Sequence, residues 1–189
     1  MPGGWVGRTS NTSSATRAGS GGDLWPAMAH IAEEAATTIR NGRRVFIELI
    51  GHIFPTQVPA AERDDLLVVL GPRWRKLPTQ RLFDRQGTRG DLLIVLGMPT
   101  FPAAHVQAGL DKGMSVIATS TDQPPKHLVS ERLHWIRMPW PRGDGAVRLP
   151  GYDVQILPVT GVVNALVYYA VKAEVRARLN EGPASAPAR

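Results

Sequence analysis

The sequence predicts one α/β domain, a three-layer sandwich around a five-stranded parallel sheet. Three observations predict it. Five short runs are apolar and β-branched: Val45–Ile50, Leu66–Leu70, Leu92–Leu96, Ser115–Thr119 and the weaker His134–Met138. They are apolar on both faces, whereas antiparallel strands with one wet face would alternate. Stretches of helical period separate them, which is the pattern of crossover-connected parallel strands. The chain has 189 residues, 43% hydrophobic and 20% charged, enough for one core of ordinary size.

Residues 1–22 are rich in Gly, Ser and Thr, carry Arg8 and Arg17, and hold no acid. They show no helical or strand period and no apolar core of a secretory signal, so a disordered leader is expected. The domain is expected over residues 23–179. Asp23 is placed to cap a first helix whose stripe is Leu24, Met28, Ile31, Ala35 and Ile39, with Asn41-Gly42 as its stop. The first strand ends in Gly51, the second in Gly71-Pro72 and the third in Gly97. A helix-like stretch around 102–112, closed by Gly113, leads into the fourth strand. A closing helix runs from about Val159 to Leu179. Its apolar half, interrupted by Pro158, Gly161 and Asn164, is too short to span a bilayer, and Arg176 and Arg178 sit at its C-terminal end. Residues 180–189 are expected to fray.

Composition excludes several function classes. There is no cysteine, hence no disulfide, thiol nucleophile or cysteine-ligated metal. No phosphate-binding P-loop, dinucleotide fingerprint, H-E-x-x-H or G-x-S-x-G is present. The five histidines (His30, His52, His105, His127, His134) lack metal-ligand spacing, so neither a metal nor a cofactor is expected. The net charge of +6 is concentrated between the second and third strands, in Arg73, Arg75, Lys76, Arg81, Arg85 and Arg89 around Trp74. With no nucleic-acid motif beside it, this reads as a charged surface loop, not a nucleic-acid footprint.

In an open parallel sheet, ligands bind outside the carboxyl ends of the strands. Those positions hold Gly51-His52, Gly71-Pro72-Arg73, Gly97 to Phe101, and Thr119-Ser120-Thr121-Asp122. The hydroxyls after the fourth strand suit a phosphate or a sugar hydroxyl, and equally suit a turn that caps the next helix. Thr100 is either a ligand donor or the N-cap of the helix beginning near Pro102. Glu48, a carboxylate inside an apolar strand, is either a general acid or base, or a structural residue that lies at a sheet edge or pairs with a nearby arginine such as Arg43 or Arg73. His52, just past the same strand, is the other acid–base candidate.

The order of these elements resembles the sugar isomerase (SIS) domain family over residues 24–179. Four passages carry the resemblance: Gly42-Arg43-Arg44-Val45-Phe46-Ile47 followed by Gly51; Asp91-Leu92-Leu93-Ile94-Val95-Leu96; Gly109 through Thr119; and Pro158-Val159-Thr160-Gly161-Val162-Val163-Asn164-Ala165-Leu166. The closest likeness is to a compact bacterial branch of the family. The resemblance implies a flavodoxin-like sandwich that binds phosphosugars and dimerises. In the family a Ser-x-Ser-Gly-x-Thr loop after the third strand holds the phosphate. Here that place reads Gly97-Met98-Pro99-Thr100-Phe101-Pro102, and Ile53 stands where a serine is expected after Gly51.

The expectation is therefore a carbohydrate-derivative (phosphosugar) or small-anion binding protein with a degenerate phosphate loop, not an active isomerase. Gly51, Gly97, Thr100, Ser120, Thr121 and Thr160 are the expected ligand-binding residues, with Glu48 and His52 as the catalytic candidates. A phosphosugar isomerase, and a dimeric partner-binding protein that has lost its pocket, are the alternatives. The expected partners are a small anionic ligand and a second copy of the chain, in the cytoplasm, with no membrane contact.

Overall fold

The computed structural model describes residues 24–50, 66–70, 78–97, 99–138, 145–148, 150–153 and 155–181. The leader, Asp23, residues 182–189 of the tail, Gly51, His52, and Arg73 to Lys76 lie outside the described residues. Helix α1 (Leu24–Arg40) buries Met28, Ile31, Ala32, Ala35 and Ala36, the stripe that its three- and four-residue spacing dictates. It closes at Gly42, whose φ of 68° suits glycine. Gly42 N–H donates to Ile39 O (2.9 Å) and Arg43 N–H to Thr38 O (3.0 Å), the paired bonds of a Schellman stop.

Strands β1 (Val45–Leu49), β2 (Leu67–Leu70), β3 (Leu92–Leu96), β4 (Ser115–Ser120) and β5 (Leu133–Arg137) form one sheet in the order β2-β1-β3-β4-β5. Every pairing is parallel. From β1 the chain builds outward to β2, then returns past β1 to start β3 on its other side. The carboxyl ends of β1 and β3 therefore flank the topological switch point.

Both faces of the sheet are covered, as apolar runs of this kind require. On one face Val45, Ile47, Leu92, Ile94 and Ile117 pack with residues of α1 and of the closing helix α4 (Val159–Asn180), among them Tyr168 and Val171. On the other, Phe46, Leu93, Val95, Val116 and Ala118 pack with Phe83 of α2 (Pro78–Gln86) and with Val106 and Leu110 of α3 (Ala103–Asp111). Gly109 of α3 has no room for a side chain: a Cβ would stand 2.7 Å from Leu93 Cδ2 and 2.9 Å from Val116 Cγ2. Gly109→Ala is expected to cost about 1–3 kcal/mol of stability by overpacking, readable from a denaturant midpoint.

Two features depart from the expected organisation. The basic segment between β2 and β3 is not only loop: residues 78–86 form α2, opening on Pro78. Its apolar content is too small for periodicity to reveal it, since Phe83 carries most of the packing, edge-on to Phe46 at 5.3 Å between centroids. A two-stranded antiparallel hairpin, β6 (Gly145–Arg148) with β7 (Gln155–Pro158), also lies between β5 and α4. Pro158 is thus the end of β7, directly before α4, and not a break within the helix.

Two histidines meet on the α1 face. The rings of His30 (α1) and His134 (β5) are 4.4 Å apart. Burial, and then the neighbouring His30, push the His134 imidazole below its ordinary value of 6.5, while Glu34 acts in the opposite direction. The unfolded chain thus takes up this proton at a higher pH than the folded protein does. Stability is expected to be whole above 6.5 and to fall as pH drops below it. Denaturant midpoints at pH 8 and pH 5.5 check this, and His134→Gln should reduce the difference.

Candidate functional site

The switch point is held together by an amide from the far end of the chain. Asn164, in the second turn of α4, is fully buried. Its Nδ2 donates toward Ile50 O (3.3 Å), Leu96 O (3.4 Å) and Gly97 O (3.4 Å). One side chain therefore pins α4 to the carboxyl ends of both β1 and β3. Its Oδ1 is buried with no hydrogen-bond partner, which is unusual for a core amide. Thr160, in the first turn of α4, is also fully buried. The positive end of the α4 dipole thus faces this end of the sheet.

Gly97 follows β3. Its N–H is shared between Thr119 O (3.1 Å) and Thr119 Oγ1 (3.0 Å). A Cβ here would lie 2.3 Å from Thr119 O and 3.2 Å from the Pro102 ring. Glycine is therefore required for the close approach of the β3 and β4 ends. Beyond it, Asp122 N–H donates to Pro99 O (2.9 Å), tying the two post-strand loops together.

The hydroxyls after β4 have different roles. Thr119 Oγ1 accepts from Gly97, as above. Ser120 is fully buried; its hydroxyl donates to Asp122 O (2.7 Å) and accepts from Trp135 Nε1 (2.9 Å). It therefore serves the turn and the β5 contact. Thr121 Oγ1 is buried with no hydrogen-bond partner. Thr100 is exposed and does not cap α3: the cap position is Pro102, with no side-chain cap bond.

Glu48 is not at a sheet edge, and Arg73, one of the arginines expected as its partner, lies outside the described residues. Glu48 lies on β1, flanked by β2 and β3 in register with Leu70 and Val95, and is 5% exposed. By strand alternation it shares the face of Phe46, toward α3. There His105 Nδ1, from the first turn of α3, stands 2.7 Å from Glu48 Oε1. The approach has ion-pair distance without the alignment of a regular hydrogen bond. Sequence reasoning placed His105 only among histidines without metal spacing. The missed signal was an apolar-strand carboxylate together with a histidine in the helix crossing the same face.

The buried carboxylate of Asp91 sits at the opposite, amino end of the sheet. Its oxygens accept from Arg44 N–H and Thr88 N–H, each at 3.0 Å, so both serve backbone amides.

Among the described residues no cluster of three or more acidic or histidine side chains is placed to hold a metal, and no helix is long and apolar enough to cross a membrane. No family model matches the chain, and no curated protein matches it. The likeness to sugar isomerase domains therefore rests on the four sequence passages.

Proposed function

We propose that the protein binds a small carbohydrate derivative, of the phosphosugar or small-anion type, at the carboxyl end of the sheet between β1, β3, β4 and the start of α4, without acting as an isomerase. The observation that carries this reading is Asn164: a buried amide whose Nδ2 spans the ends of β1 and β3 while its Oδ1 lacks a partner. A buried polar group without a partner calls for an explanation, and a ligand or water that completes it is one. Thr121 Oγ1 has the same character on the adjoining loop. The loop from Gly97 to Thr100 lacks the serines of the phosphate cradle, which counts against tight phosphate capture and more strongly against isomerisation.

A thermal-shift screen of hexose and pentose phosphates tests it. A ligand present at one hundred times its Kd should add about 2.7 kcal/mol of stability, which is a shift of roughly 5–10 °C for a domain of this size. No shift with any sugar phosphate at millimolar concentration, in protein shown to be folded, overturns the reading.

The same reading includes a homodimer in the cytoplasm. Val162, Leu166 and Tyr169 follow one another at spacings of four and three on α4 and are 56%, 56% and 52% exposed. An apolar stripe of this kind favours a partner helix face. Sedimentation equilibrium should give a dimer, and Leu166→Glu a monomer of unchanged fold. A wild-type monomer at high micromolar concentration overturns this part.

A further inference from the structure

We propose that Glu48 and His105 form an acid–base dyad, with His105 Nε2 as the atom that takes and returns a proton for a bound hydroxyl. Three observations carry it. Glu48 is a buried carboxylate on an interior strand, a position that disfavours a charge unless it is partnered. His105 Nδ1 is sealed from solvent and stands 2.7 Å from that carboxylate, and at this separation a proton on Nδ1 is favoured over a lone pair facing a carboxylate oxygen, although the approach is not aligned as a regular hydrogen bond. The His105 side chain is nevertheless 26% exposed, and with Nδ1 sealed that exposure falls on the rest of the ring. The carboxylate therefore fixes the tautomer with the proton on Nδ1 and leaves the Nε2 lone pair outward, the arrangement that makes imidazole a base.

The dyad lies on the α3 face of the sheet and Asn164 reaches the end of the same strand from the α4 face, and the proton-transfer role rests on the ligand-binding reading above. Glu48 is two residues before Ile50, whose carbonyl accepts from Asn164, so about 7 Å of strand separates the two features. In the step itself the ligand O–H bond breaks and an Nε2–H bond forms. The electron pair stays on the ligand oxygen. The imidazolium is held by the Glu48 carboxylate until the proton is returned. Nothing is oxidised or reduced, and no further reactant is consumed.

A purely structural pair would have the same burial but no heightened reactivity at Nε2. The test needs no ligand, so it stands apart from the sugar-binding reading. Diethyl pyrocarbonate acylates imidazole through a free ring-nitrogen lone pair, and peptide mass spectrometry separates the histidines. Exposure alone ranks the exposed His127 ahead of His105. The dyad reverses that order: His105 should react about tenfold faster than His127, and Glu48→Gln should remove the advantage. In case that variant fails to fold, ¹⁵N spectra of the wild-type imidazoles give an independent reading, with His105 expected as the Nδ1–H tautomer. His127 reacting faster than His105, unchanged His105 reactivity in folded Glu48→Gln, or an Nε2–H tautomer each overturns the proposal.

Discussion

Gly97→Ala is expected to destabilise the protein by about 3 kcal/mol or more, at the upper end of what an added methyl group does in a packed interior. The obstacle is backbone. The new Cβ would stand 2.3 Å from Thr119 O, with the Pro102 ring at 3.2 Å on another side. A flexible side chain could swing away, but the end of β4 moves only if its ladder with β3 moves too. The shift would also break the shared bond from Gly97 N–H to Thr119 O and Oγ1. Chemical denaturation with an unchanged m-value checks the size. A cost below about 1 kcal/mol would show that the two strand ends are not so closely apposed.

Asn164→Asp should be nearly as damaging, for an electrostatic reason. The side chains are close in shape, so packing is preserved. The substitution replaces an NH₂ that faces three carbonyl oxygens, on Ile50, Leu96 and Gly97, with a carboxylate oxygen. A buried carboxylate against carbonyls strongly favours its protonated form, so the folded pKa of the new group lies above its unfolded value. The destabilisation is then full at neutral pH and is relieved as pH falls toward the carboxylate range. About 3 kcal/mol at pH 7, shrinking at pH 5, is the expected pattern. Wild type should lack this acid recovery, and its absence in the variant would mean that the amide does not face those carbonyls. Asn164→Leu provides the comparison, since it removes the donor without adding charge and should show a pH-independent loss.

These two residues show how legible the fold was. Each strand run was readable because burial on both faces leaves a continuous apolar stretch, and parallel pairing followed from the helical spacers. Gly97 was readable as a strand end, though not as a packing requirement, because its neighbours come from β4 and from Pro102. Helix α2 was hidden by its charge: only a small part of it packs, so its sequence resembles a surface loop. The hairpin of β6 and β7 was hidden because Gly145–Arg148 and Gln155–Pro158 are short and mix polar with apolar residues.

The site was less legible than the fold, because its contacts are long-range. Glu48 was marked out by chemistry, an acid in an apolar strand, but its partner His105 comes from a helix on the far side of β3. Asn164 reaches Ile50 across 114 residues. In sequence it reads only as a polar break in an apolar helix. Ser120, by contrast, was marked out by its place after β4, and its hydroxyl is taken up by Asp122 and Trp135. Position at a strand end identifies where a ligand could sit. It does not say which hydroxyl is left for the ligand, since the same atoms also serve turns.

The central claim is that ligand binding occurs at the carboxyl end of the sheet, around the ends of β1 and β3. Amide chemical-shift mapping during titration with a panel of sugar phosphates tests it most directly. The expected result is saturable shifts at Gly97, Thr121, Thr160 and Asn164, with Arg44, Thr88 and Asp91 at the amino end unmoved. Shifts confined to the amino end, or none at millimolar ligand in folded protein, would contradict it.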